Sequence, residues 1–121
     1  VLNFFSAVGT AVAVESQTDF DLAGVASALM GTFLGFIEGT VNWLTEQGMP
    51  AQTARAYVGP LFVSLSETVF TSAGTSLGAL RAEYSTKGGI NEQMFADFVT
   101  LGGLEALHGA FRNVLLRIRG A

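Results

Sequence analysis

The stretch Asp21–Gln47, DLAGVASALMGTFLGFIEGTVNWLTEQ, holds a single charge, Glu38, between its terminal turns, and it limits what the chain can fold into more than any other segment. It reads as one long helix. Thr18 and Asp21 supply a Thr-x-x-acid capping box, and Asp19 adds negative charge where the helix dipole is positive. Gly48, followed by Pro50, marks the stop. At roughly 1.5 Å per residue the helix is on the order of 40 Å long, more than a compact domain of 121 residues requires. Something beyond one small core has to cover it.

The small residues of this helix fall into register. Ser27, Gly31, Gly35 and Gly39 recur at every fourth position, with Gly24 and Ala28 beside them. Such a ridge lets another helix backbone approach closely and is the expected dimer interface. Leu29, Phe33, Phe36, Ile37, Val41 and Leu44 spread around much of the remaining circumference. A helix apolar nearly all round is buried on several sides, inside an assembly or inside a bilayer.

Composition bears on that choice. Hydrophobic residues make up 50% of the chain and charged residues 13%, about half the usual charged share. So little polar surface predicts an extensive buried interface, in a homodimer or higher oligomer. The net charge of −4 gives no electrostatic footprint for nucleic acid. Arg112, Arg117 and Arg119 make only the tail locally basic, which suits a helix C-terminus better than a phosphate contact. Leu22–Ile37 and Gly39–Thr45 are uncharged and together long enough to span a membrane. Glu38 interrupts them and no basic flank anchors either end, so no membrane partner is expected. With no cysteine, disulfides and thiolate chemistry are excluded, no metal site is expected, and a cytoplasmic location is the default. VLNFFSAVGT lacks the basic start and cleavage site of a signal peptide, and a chain starting on Val is expected to be a piece of a longer protein.

The rest of the chain reads as four further helices. Ahead of the long helix, Thr10–Val14 is a β-prone run whose strand partners must lie elsewhere. Pro50 opens a second helix running to about Ser72, with Tyr57, Leu61, Leu65 and Val69 as its stripe, reinforced by Val58, Phe62 and Val63, and Gly59-Pro60 expected to kink it. Ser76–Tyr84 is a short third helix. Asn91 is the expected N-cap of a fourth, with Ile90 and Phe95 as a hydrophobic staple, and Gly102-Gly103 separates it from a last amphipathic helix, Leu104–Arg119. The expected class is all-α, with residues 1–20 a tail or linker and residues 21–121 one helical domain.

Few residues carry chemistry. His108 is the only histidine, and no Ser-His-Asp arrangement or metal-ligand pair can be built around it. Glu38 has no second carboxylate nearby for acid/base work and reads as a structural acid. The loop Thr86-Lys87-Gly88-Gly89 before Asn91 differs, because glycines admit close backbone approach while hydroxyls, helix-start amides and a lysine attract a small carboxylate.

From about Phe4 to Arg119 the sequence resembles the C-terminal dimerisation domain of the pyrroline-5-carboxylate reductase family. The matching pieces are FFSAVGTAVAVES, FIEG, QGMPAQTA, STKGGIN against a family pattern close to TSPGGTT, and GGLEAL, in the family's order and spacing. The resemblance implies an NADP- or NAD-dependent imine reductase with a Rossmann domain ahead of this segment and helices of two subunits interlocked. It also implies that Thr86, Gly88, Gly89 and Asn91 lie at the substrate carboxylate, to which Lys87 would add its charge, and that Thr10–Val14 belongs to the absent nucleotide-binding sheet. No dinucleotide fingerprint occurs here, so this chain alone binds no cofactor and catalyses no hydride transfer. The alternatives are a non-enzymatic helical dimerisation module and a small membrane helical protein.

The pocket departs from the family. A Ser-Gly-Ser-Gly-Pro-Ala-Tyr turn is replaced by Ala26–Thr32, read as uninterrupted helix, while Lys87 stands for proline and Ile90-Asn91 for two threonines. Hydride transfer requires reacting atoms held at about 3–3.5 Å, and a displacement of about 1 Å costs on the order of a hundredfold. Joined to a nucleotide-binding domain, the protein is therefore expected to reduce pyrroline-5-carboxylate poorly. In an assay with NADPH, a kcat/KM below about 10⁴ M⁻¹s⁻¹ is the expected outcome, and a value in the ordinary enzyme range contradicts it.

Overall fold

The computed structural model describes residues 13–120. They form six helices: α1 Gln17–Ser27, α2 Leu29–Glu46, α3 Ala51–Thr71, α4 Leu77–Glu83, α5 Ile90–Thr100 and α6 Gly103–Ile118. No strand occurs among the described residues. Of the expected strand, Thr10–Val12 lies outside them, and Ala13 and Val14 are not in a strand.

The long helix starts earlier than its sequence suggests and is interrupted once. Ser16, not Thr18, is the N-cap, and its Oγ accepts from the Asp19 N–H at 3.0 Å. Asp21 is freed from capping and lies buried inside the first element. The interruption falls at Ala28, whose N–H is shared between the carbonyls of Gly24 (3.2 Å) and Val25 (3.1 Å). Ser27 Oγ donates to the Ala23 carbonyl at 2.9 Å, the kind of back-bonding that loosens and bends a helix. The uninterrupted reading of Ala26–Thr32 is corrected accordingly. The stop is as expected: Gly48 takes φ 109°, which only glycine adopts readily, and the bonds Gly48 N–H to Thr45 O and Met49 N–H to Leu44 O close the helix end.

The chain divides into two compact units. The first joins α1 to α6 from Gly109 onward. Val25 is buried in it, Asp21 accepts from Gln17 Nε2 at 2.8 Å, and Arg119 Nε reaches Asp21 at 3.5 Å. A Cβ on Gly24 would lie 3.1 Å from Ile118 Cδ1, so the two helices approach closely there.

The second unit, Met30–His108, is built on α2 and α3. Phe62 of α3 meets Phe33 and Phe36 of α2 in edge-on ring pairs, each with centroids 5.8 Å apart. The inner face of α3 is Ala54, Val58, Phe62 and Leu65, so of the expected apolar residues Leu65, Val58 and Phe62 turn inward and the rest do not. Tyr57 is 72% exposed, and Leu61 and Val69 are exposed as well. Apolar residues lie on every side of α3, so periodicity alone could not choose, and the Phe62 ring contacts with Phe33 and Phe36 accompany the rotation observed. Pro60 removes one backbone donor, yet the helix runs on through it. Ser76, read as the first residue of the short helix, instead caps α4, its Oγ accepting from the Ala79 N–H. Asn91 does not cap α5, since Gly89 holds that place without a side-chain bond. Ile90 is 83% exposed, so the expected staple to Phe95 is absent, and Phe95 instead lies under the Arg81 guanidinium at 4.4 Å.

The Gly102-Gly103 break has a packing cause. Gly102 takes φ 89°, and a Cβ on Gly103 would overlap the Phe98 ring. Gly103→Ala is expected to cost about 1–3 kcal/mol by overpacking, measured as a lower midpoint in urea. The penalty should vanish in a Phe98→Ala background, because the ring is the obstacle.

Candidate functional site

The expected substrate-side loop follows α4. Ser85 Oγ donates to the Arg81 carbonyl at 2.8 Å, Gly89 N–H donates to the Thr86 carbonyl at 2.8 Å, and Gly88 turns the chain at φ 75° into α5. Thr86, Lys87, Gly88 and Asn91 are exposed, and Gly89 is half-buried. The loop is therefore open to a small solute.

One participant escaped the sequence reading. Glu92 reaches back so that its Oε1 accepts from the Gly88 N–H at 3.2 Å. A carboxylate approaching that amide meets another carboxylate first. The signal was present, because an acid at the third position of a helix is the usual partner of amides just ahead of it.

The small-residue ridge lies in the open. Ser27, Gly31, Gly35 and Gly39 are exposed, and a Cβ added to any of the three glycines would meet nothing within 4 Å. At about 100° per residue the ridge faces away from half-buried Ile37 and Leu44. It is thus the side of α2 that does not meet α3. Glu38 is exposed on the same side.

On the other side, α2 and α3 border an open apolar groove of about 650 Å³. Phe33, Leu34 and Ile37 line it from α2, and Gly59, Phe62, Val63, Ser66 and Phe70 from α3. Its only charged lining residues are Arg55 and Glu67. The first unit has a smaller cleft of about 300 Å³, where Arg112 lies among apolar side chains including Leu22, Val25 and Phe111.

Among the described residues, no three His, Asp or Glu side chains gather into a metal-holding group. His108 is exposed on α6. The helical residues Gln17–Glu46 have the length and hydropathy to cross a membrane, by composition alone. Compared with protein-family models, curated proteins and solved structures, the chain matches none.

If Glu92 competes with ligands for the Gly88 amide, Glu92→Gln should bind small carboxylates such as proline several-fold more tightly than the native chain. Amide shifts of residues 86–92 in a nuclear magnetic resonance titration measure this. Unchanged or weaker binding in the variant would count against the loop as an anion site.

Proposed function

We propose that this chain is a helical dimerisation domain, and that it forms the substrate-side half of an NAD(P)H-dependent imine reductase related to pyrroline-5-carboxylate reductases. The observation that carries the association is the shortage of interior. Among the described residues, the buried apolar side chains are Val25, Ala54, Val58 and Leu80, while Phe36, Trp43, Tyr57, Val63 and Phe70 stand exposed. Monomeric proteins rarely leave contiguous apolar surface of this kind uncovered. A second copy covers it most simply, because a two-fold assembly needs no further gene product and lets each open face meet its own kind.

The reductase assignment rests on the ordered motifs QGMPAQTA, STKGGIN and GGLEAL, and on an accessible loop at Thr86–Asn91. The nicotinamide cofactor, NADP or NAD, would be held by a separate nucleotide-binding domain. The chain's own contribution would be to pair subunits and to offer Thr86, Gly88, Gly89, Asn91 and the mobile charge of Lys87 to a substrate carboxylate. The Glu92 contact and the missing family turn both favour a substrate other than pyrroline-5-carboxylate. A bilayer is the second candidate cover for α2, favoured by the apolar run Gln17–Glu46. Recovery of the protein without detergent separates the two.

Gly35 provides the test. A larger side chain has room there within one chain, so Gly35→Leu should fold normally by circular dichroism while keeping partner helices apart. The native protein should melt at a temperature that rises with protein concentration, and the variant should lose that dependence. A concentration-independent melting temperature in the native protein contradicts the proposal.

A further inference from the structure

The groove between α2 and α3 carries a pattern that the overall dimer reading does not use. Arg55, Gly59, Val63 and Glu67 follow one another at every fourth position of α3 and all line it. The ridge runs cation, gap, knob, anion. Gly59 is an actual gap, with nothing within 4 Å of an added Cβ, and Val63 is an actual knob, 67% exposed. Neither Arg55 nor Glu67 has an ion-pair partner among the described residues.

Read in the opposite direction, the same ridge runs anion, knob, gap, cation. Laid antiparallel against itself about a two-fold axis level with Leu61, each element meets its complement. Arg55 faces Glu67 of the other copy, about 18 Å along the helix from where the reciprocal pair forms, and each Val63 enters the space left by the other copy's Gly59. We infer that the groove is filled by α3 of a second copy, antiparallel and in this register. The inference rests on the dimer reading above and adds a second contact to it, on the side of α2 opposite the glycine ridge. A fatty acid would leave Glu67 unpaired and a uniformly charged peptide would be repelled at one end, whereas a second α3 satisfies both ends.

Charge exchange tests the register. Arg55→Glu and Glu67→Arg each place like charges at both symmetric contacts, and each should raise the dimer dissociation constant at least tenfold. The double variant restores opposite charges and should return within about threefold of native. Most tellingly, mixing the two single variants should give a heterodimer, since one then carries two acids facing two arginines. Both sites are exposed, and circular dichroism of each variant verifies folding. A native dimer indifferent to the single changes overturns the register but leaves dimerisation standing, as does weakening that mixing and the double variant fail to repair. A native protein that stays monomeric overturns both.

Discussion

Three phenylalanine rings hold the second unit together. Phe33 and Phe36, one turn apart on α2, close edge-on against Phe62 of α3, and this contact fixes which side of each helix turns inward. Once it is made, Ala54, Val58 and Leu65 follow on α3, and Ile37 and Leu44 on α2. The glycine ridge of α2 and the outer apolar residues of α3 are left facing outward. A helix pair this narrow cannot bury apolar residues that run round its whole circumference, and that geometric limit underlies the functional argument.

How much of this was legible in the sequence depended on whether the governing chemistry was local. The stop at Gly48 and the break at Gly102-Gly103 were readable because glycine torsions act within a few residues. Helix starts were less so. Ser16, Thr18, Asp19 and Asp21 all have capping side chains, and only Asp21's bonds to Gln17 and Arg119 remove it from the competition. Arg119 lies 98 residues away, beyond any local rule. The inward face of α3 was read only in part, with Val58, Phe62 and Leu65 inside but Tyr57, Leu61 and Val69 outside, because where every side is apolar the pattern records the sum of all contacts rather than those made within one chain.

The candidate loop shows the same division. Its position and exposure were readable from Thr86-Lys87-Gly88-Gly89, whose two glycines and hydroxyl interrupt a helical run. The carboxylate of Glu92 on the Gly88 amide was not read, although its place in the first turn of α5 allowed it. It changes the character of the site from a preformed anion cradle to one already occupied by an internal acid. Such a loop can still serve a substrate whose own charge or hydrogen bonding displaces Glu92, or one that uses Glu92 directly as a partner for a cationic nitrogen.

The central claim is that a second copy of the chain completes the apolar faces of α2 and α3. Sedimentation equilibrium of the native protein, without detergent and at micromolar concentration, tests it most directly. The account predicts a soluble species with the mass of two chains, dissociating only on dilution. A single species with the mass of one chain across that range would contradict it.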